Sequence, residues 1–300
     1  LGPLSCRERG ECESHQQYWY RGNWFDNLSV FWQDFCAPGK LRDRTYPPSA
    51  GGKKSGEDLS TLAVHVKLDP GEARDIRFVI GWFFPNCENY WSERAKEQSM
   101  PNRWKNYYAN HFGGALDVVE YALGHWDELE ARTRGFCDLL SSSTLPGDAI
   151  EALISNLSVL KSPTCLRLQD GSFYGFEGCH ASSGCCEGSC THVWNYAFAL
   201  PYLFPQLERS MRELDYTYNL RDDGGMPFRL QLPLGSERSK FRPCVDGQMG
   251  GVIKTYREWK ISGDDAWLRS LWPSVKSSLE YAWSPNNKDL WDPDMSGVIT

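Results

Sequence analysis

The chain has 300 residues and a formal net charge of −7, with 32 Lys and Arg against 39 Asp and Glu. This length suits one large domain or two ordinary ones. With 41% hydrophobic and 14% aromatic residues, the chain can build a sizeable core, which excludes a disordered or collagen-like protein. The acidic balance excludes a nucleic-acid scaffold, because such a protein carries a basic stripe. The 13 Trp suit either a large aromatic core or the binding of flat ligands such as sugars.

Both ends of the chain have the character of internal sequence. Residue 1 is Leu, and residues 291–300 read as a turn entering another element. We therefore expect a piece of a longer protein that lacks sequence at both ends. No run approaches the roughly 18 apolar residues of a membrane span, so no span is expected. No signal peptide is visible, which makes the cytoplasm the default expectation.

Residues 1 to about 95 have the patterns of β-structure. Residues 62–68 alternate apolar and polar side chains, and Ile76, Phe78 and Ile80 alternate again. Between them, residues 69–72 (Asp-Pro-Gly-Glu) form a turn signal. The pattern predicts a β-hairpin with one buried face. Ahead of it, the Pro- and Gly-rich residues 47–56 predict an exposed loop.

The apolar spacing then changes to that of helices. A stripe at three- and four-residue steps runs from Phe112 to Phe136 and predicts one long helix. A second helix is predicted after Pro146. Residues 246–261 and 264–283 predict a helical hairpin, in which Gly263 ends the first helix and Asp264 caps the second. The buried side of the second helix is predicted to comprise Trp267, Leu268, Leu271, Trp272, Val275, Leu279 and Tyr281.

Strand patterns precede helix patterns, and this segregation indicates a multidomain β + α protein. The helical part suits a bundle, solenoid or toroid. We predict a β-domain over residues 1–100, a linker helix region over 101–145 and a helical domain over 146–300.

Glu177 is the first candidate for chemistry. It lies between Phe176 and Gly178, where an apolar neighbour and a glycine allow a carboxylate to be held in a tight, partly dry turn. Such a carboxylate could be a nucleophile, an acid/base or a ligand. A solvated turn residue is the structural alternative.

Cysteines cluster just after Glu177, and two histidines, His180 and His192, lie nearby. The four cysteines are Cys179, Cys185, Cys186 and Cys190. Thiolate and imidazole ligands suit a tetrahedral zinc site, although the spacing is not the usual paired one. Buried free thiols and, in an oxidising compartment, a disulfide are the alternatives.

Two further segments allow both a functional and a structural interpretation. His192 begins an aromatic run and could bind a substrate hydroxyl, or it could cap or pack. Residues 292–297 are similar to the opening of an EF-hand loop, but an Asx-rich turn explains them better.

Several motifs resemble those of glycoside hydrolase family 116, which includes non-lysosomal glucosylceramidases and bacterial β-glucosidases. They are Phe176-Glu177-Gly178, residues 190–196 (Cys-Thr-His-Val-Trp-Asn-Tyr), residues 224–229 (Gly-Gly-Met-Pro-Phe-Arg), residues 256–259 (Tyr-Arg-Glu-Trp), residues 19–27 and residues 31–35. The resemblance implies the end of an N-terminal β-sandwich followed by part of an (α/α)6 toroid. It also implies a retaining β-glycosidase with Glu177 as nucleophile. The partner acid/base Asp is expected shortly after Thr300, so residues 1–300 alone are expected to be inactive.

The sequence departs from the family pattern in its sugar-recognition residues. His192 replaces an Asp of glucosylceramidase-type members, and Leu232-Pro233-Leu234 replaces Pro-His-Asp. The cysteine-rich segment is a further difference.

We predict hydrolysis of a β-linked glycoside or glycoconjugate without a required cofactor. The predicted sugar contacts are His192, Trp194, Tyr196 and Asp246, of which Asp246 matches an Asp of the family pattern. The alternatives are a non-catalytic carbohydrate-binding protein on the same fold and a zinc-stabilised structural protein.

Overall fold

The computed structural model describes residues 13–22, 26–37, 40–47, 58–92, 94–180 and 183–299. The chain divides into two compact units, residues 1–78 and 79–300. The predicted domain limits at residues 100 and 145 do not coincide with this division and stay predictions.

Helices and short antiparallel strands are interspersed along the described chain. The α-helices are α1 (Asn27–Cys36), α2 (Arg94–Glu97), α3 (Ala115–Gly124), α4 (Trp126–Ser141), α5 (Gly147–Ser155), α6 (Ala199–Leu203), α7 (Pro205–Leu214), α8 (Val245–Ser262) and α9 (Asp265–Glu280). The strands are β1 (Glu13–Gln16), β2 (Thr61–Val64), β3 (Asn86–Glu88), β4 (Arg103–Lys105), β5 (Cys165–Arg167), β6 (Phe173–Gly175), β7 (Gly178–Cys179) and β8 (Gly184–Cys185). Each sheet in the described part of the chain is a two-stranded antiparallel pair: β1–β2, β3–β4, β5–β6 and β7–β8.

The first unit is organised around the β1–β2 pair, in which Glu13 lies opposite Val64 and Gln16 opposite Thr61. Two polar side chains are buried there, and each forms hydrogen bonds. The Gln16 side chain donates to Asp34 at 2.8 Å, and the backbone N–H of Leu41 donates to the Ser14 hydroxyl at 3.1 Å. These bonds tie β1 to helix α1 and to the chain that follows it.

The predicted hairpin over residues 62–80 is wrong in its pairing. Its turn is present, since the Glu72 N–H donates to the Asp69 carbonyl at 2.9 Å. However, β2 pairs with β1, and residues 76–80 form no strand. Alternation identifies a segment that can be a strand, but it does not identify the partner. The predicted loop over residues 47–56 lies outside the described residues, Pro47 excepted.

The predicted long helix is two helices. Helix α3 ends at Gly124 and α4 begins at Trp126, with the His125 N–H donating to the Tyr121 carbonyl at 3.0 Å. Glycine weakens a helix interior, which is consistent with a break at this position. The predicted helix after Pro146 is present as α5, with Pro146 as its N-cap residue.

The core of the second unit lies between the β5–β6 pair and helices α7, α8 and α9. One apolar cluster surrounds Tyr174 and Phe176 and includes Leu214 and Leu230. A second joins Tyr216 and Met226 to α9. Phe176 is 2% exposed, so the backbone next to Glu177 is anchored in the core.

The predicted helical hairpin is present as α8 and α9. Gly263 adopts the left-handed conformation at φ 66°, and its N–H donates to the Trp259 carbonyl at 2.7 Å. The Asp264 side chain accepts from the Trp267 N–H at 2.9 Å. Trp267, Leu271, Val275 and Tyr281 are buried as predicted, whereas Trp272 and Leu279 are exposed.

A cluster of charged side chains is buried between α7 and α8. Its members are Glu208, Arg212, Asp215, Lys254 and Glu258. Arg212 lies 3.1 Å from Asp215, while the half-buried Arg257 bonds Glu208 at 3.0 Å and Glu258 at 2.7 Å. Among the described residues, the Lys254 ammonium has no hydrogen-bond partner. Asp215 begins a π-helical turn, Asp215–Asn219, that continues α7.

The described structure therefore mixes helices with small antiparallel sheets, which is compatible with the predicted β + α class. Among the described helices, none combines the length and the apolar character needed to cross a membrane.

Candidate active site

Glu177 lies on the turn that joins β6 to β7. Its N–H donates to the carbonyl groups of Cys185 and Cys186, both at 3.1 Å. The preceding residue, Phe176, donates its N–H to the Thr164 carbonyl at 2.7 Å, and its ring packs edge-on against Trp91. The backbone of Glu177 is thus held on both sides, while its side chain remains 24% exposed.

Glu177 lines a pocket of about 670 Å³. Volumes of this order accommodate small-molecule ligands. The lining combines charged and aromatic side chains, among them Trp91, Glu177, Glu187, His192, Arg229 and Phe241.

Arg229 is the direct partner of Glu177 and was missed by the sequence analysis. Its guanidinium donates to Glu177 Oε1 at 2.7 Å and lies 4.0 Å from Glu187. A charge-assisted bond of this kind holds a carboxylate in one orientation. Arg229 ends the Gly-Gly-Met-Pro-Phe-Arg motif. Because it is the one basic residue of that motif, it could have been singled out from the sequence.

The segment around Arg229 runs beside the cysteine-rich loop. The Leu230 N–H donates to the Gly188 carbonyl at 2.8 Å, and the Thr191 N–H donates to the Phe228 carbonyl at 2.9 Å. These two bonds bring Arg229 to Glu177, which is 52 residues away in sequence.

The four predicted cysteine ligands differ in environment. Cys179 is exposed and Cys190 is buried, while the sulfurs of Cys185 and Cys186 lie 3.2 Å apart. Burial raises the pKa of Cys190, and its hydrogen bond to Glu177 raises the pKa further. No three of the four sulfurs come together as a ligand group in this part of the described chain.

His192 and Asp246, both predicted as sugar contacts, are hydrogen-bonded to each other through Nδ1 and Oδ2. Asp246 lies in the first turn of α8, where the Gly247 N–H donates to its Oδ1 at 2.8 Å. Asn195 fixes the same residue through its backbone carbonyl at 2.8 Å. A Cβ on Gly247 would lie 2.5 Å from the Thr191 hydroxyl, so glycine permits this close approach of α8. Of the pair, His192 lines the pocket.

Cys244 lies next to the His192–Asp246 pair and was not among the site residues predicted from the sequence. Its thiol donates to Asp246 Oδ1. Burial, followed by this hydrogen bond, raises the pKa of Cys244 to about 11. Burial acts to raise the pKa of Asp246, but the hydrogen bonds from Cys244 and His192 outweigh it and leave the pKa below its usual value.

The two predicted aromatic contacts lie away from this pocket's centre. Trp194 is 6% exposed and packs edge-on against Phe173, which favours a core role. Tyr196 is exposed, with its ring edge toward His192 at 6.0 Å between centroids. Both residues line a smaller apolar cavity of about 250 Å³ that also reaches Glu177.

In the acidic turn at residue 292, the Asp292 carboxylate accepts hydrogen bonds from protein groups. Asp292 accepts from the Ser296 N–H at 2.7 Å and from the Gly297 N–H at 2.8 Å. This pattern is that of an Asx-type turn, as the sequence favoured.

Comparison with known families bears on the N-terminal part of the chain. Residues 5–129 match the family described as "beta-glucosidase 2, glycosyl-hydrolase family 116 N-term". The match points to a glycosidase family. It confirms the resemblance to glycoside hydrolase family 116 that the motifs indicated. The matched residues precede Glu177 in sequence and include Trp91, which lines the pocket.

Proposed function

We propose that the complete protein is a retaining β-glycosidase of the β-glucosidase or glucosylceramidase type, with Glu177 as its nucleophile. The observation that carries the proposal is the Arg229–Glu177 pair at 2.7 Å in a 670 Å³ pocket. In this proposal residues 1–100 are the end of a β-sandwich, residues 101–145 a linker helix region and residues 146–300 part of an (α/α)6 toroid, as the family resemblance implies.

The first chemical step uses the oxygen of the Glu177 carboxylate that Arg229 does not bond. Arg229 engages Oε1, so we assign the attack on the anomeric carbon to Oε2. The bond from that carbon to the aglycone oxygen breaks, and a carboxylic acid protonates the departing oxygen. Retaining enzymes place the two carboxyl groups about 5–5.5 Å apart.

The second step hydrolyses the resulting ester. The deprotonated partner removes a proton from water, the water oxygen attacks the anomeric carbon, and Glu177 is released as a carboxylate. The resemblance assigns the partner to an Asp beyond residue 300. The pair supplies both nucleophile and proton, so no cofactor is required.

Arg229 acts in this scheme as a positioning residue. Its bond to Oε1 orients the Glu177 carboxylate before attack and after release. The aromatic rings of Trp91 and Phe241, which line the pocket, offer apolar surface to a sugar ring.

The test is turnover of aryl β-glucosides by the complete protein and its Glu177 variants. Glu177→Gln should reduce kcat by at least about 10⁴-fold, as expected when a nucleophile is removed. Glu177→Gly should regain turnover with azide and yield the α-glycosyl azide, because azide then attacks in place of the carboxylate. Glu151→Gln, at an exposed position of α5, is the matched control and should turn over normally.

Normal turnover by Glu177→Gln would overturn the assignment. Sugar binding by the wild-type protein with no turnover of any β-glycoside would instead favour the carbohydrate-binding alternative.

A further inference from the structure

Three side chains of different chemistry meet at the edge of the pocket. His192, Cys244 and Asp246 each place one potential ligand atom, and these three atoms lie within 4.8 Å of one another. The set comprises an imidazole nitrogen, a sulfur and a carboxylate oxygen. Proteins use these donors together for zinc, whereas calcium and magnesium take oxygen ligands.

The spacing of the three atoms suits one small ion. With zinc bonds of about 2.0–2.3 Å in a tetrahedral arrangement, neighbouring ligand atoms lie about 3.3–3.7 Å apart. From a separation of 4.8 Å, side-chain movements that total about 1–1.5 Å reach that spacing.

The three ligands are held by short local structure. Cys244 is the N-cap residue of α8, Asp246 lies in the first turn of that helix, and His192 precedes the 3-10 turn Val193–Tyr196. Asn195 and Gly247 fix Asp246 by the hydrogen bonds described above. Such outer contacts orient metal ligands and raise affinity.

We propose that His192, Cys244 and Asp246 bind one Zn²⁺ ion, with water in the fourth position. On binding, zinc takes the place of the thiol proton of Cys244, which passes to solvent. Because His192 lines the pocket, the ion lies at the pocket edge, where its water can be exchanged for a substrate hydroxyl. The zinc site is distinct from the Cys179–Cys190 cluster and does not rest on the proposed glycosidase activity.

The experiment is cobalt titration of the metal-depleted complete protein. Co²⁺ replaces zinc in such sites, and a cobalt–thiolate bond gives a near-ultraviolet charge-transfer band. We expect one equivalent to produce this band and Zn²⁺ to abolish it. Cys244→Ser should remove the band, and His192→Gln and Asp246→Asn should weaken binding by at least about 100-fold, since even outer contacts contribute 10–100-fold.

Matched controls separate this site from the other thiols. Cys137→Ser, on the exposed side of α4, and Cys179→Ser should both retain the band. Glu177→Gln should also retain it, so failure of the glycosidase proposal would leave this readout intact. Circular dichroism confirms that each variant is folded.

The proposal is overturned if the folded wild-type protein gives no band. It is equally overturned if Cys244→Ser retains the band, or if both His192→Gln and Asp246→Asn bind cobalt as wild type does. The three residues would then form only a hydrogen-bonded cluster.

Discussion

The buried ammonium of Lys254 predicts a rise in stability with pH. Burial, reinforced by the charge of Arg212, lowers the pKa of Lys254 from 10.5 to about 7. Between these values the folded protein holds a neutral amine, whereas the unfolded chain still binds the proton. Stability rises with pH wherever the unfolded state binds more protons. The stabilisation that the neutral Lys254 amine provides is therefore complete above about pH 10.5, and it is lost as the pH falls through about 7.

The magnitude follows from the displacement of the pKa. The difference between 10.5 and about 7 is about 3.5 units, which at about 1.4 kcal/mol per unit corresponds to about 5 kcal/mol over the whole range. Integration from pH 7 to 10 gives about 3–4 kcal/mol.

Asp215 and Glu258 act in the opposite direction in acid. Burial raises the pKa of each, so stability falls as pH rises from near 4 through their raised values.

The assay compares wild type with Lys254→Met by urea unfolding at several pH values from 7 to 10. Groups remote from Lys254 cancel in the difference between their unfolding free energies, whereas its charged neighbours Arg212, Asp215, Glu208 and Glu258 contribute to the measured effect. We expect wild type to gain about 3–4 kcal/mol relative to Lys254→Met over this range. Lys260→Met, at an exposed position of the same helix, is the matched control and should follow wild type. Parallel pH profiles of wild type and Lys254→Met would refute the reasoning.

Two further predictions concern the site and the helical hairpin. Arg229→Lys retains the charge but loses the fork that bonds Glu177, so kcat should fall by about 10–100-fold, equivalent to about 1.5–3 kcal/mol, with KM little changed. Steady-state kinetics with aryl glycosides measure it, and a change confined to KM would contradict the positioning role. Asp264→Ala removes the cap on the Trp267 N–H and should cost about 1 kcal/mol of unfolding free energy, whereas Asp264→Asn keeps the cap and loses only the ion pair with Arg209. Equal losses in thermal and urea unfolding would show that the ion pair, not the cap, matters.

Local signals predicted the helical hairpin well. A glycine suited to the left-handed conformation and an Asp suited to capping stand side by side at residues 263 and 264, and both act within one helical turn. The burial of individual side chains was predicted less well. The apolar pattern assigned Trp272 to the buried face, but 53% of this residue is exposed.

Contacts between distant segments could not be predicted from local patterns. The partner of β2 is β1, about 48 residues earlier, rather than the segment just after the turn. Glu177 was selected from its immediate neighbours, but Arg229 reaches it only through the pairing of two loops. The same holds for Cys244, whose proximity to His192 depends on the packing of α8.

The cysteine-rich loop shows how little spacing in sequence says about convergence in space. Four cysteines within twelve residues allowed zinc, free thiols or a disulfide, whereas the group of three potential ligand atoms in the described residues is that of His192, Cys244 and Asp246. Metal ligands must converge in space, and a loop with short strands can direct neighbouring side chains apart.

The central claim, that Glu177 forms a covalent bond to the sugar, can be measured directly. The complete protein is incubated with an activated β-glucoside that carries fluorine in place of the hydroxyl next to the anomeric carbon, which slows hydrolysis of the glycosyl-enzyme. Peptide mass spectrometry should then locate one sugar adduct on Glu177. An adduct on Glu187 or any other residue, or turnover of β-glucosides with inverted configuration and no adduct, would contradict the account.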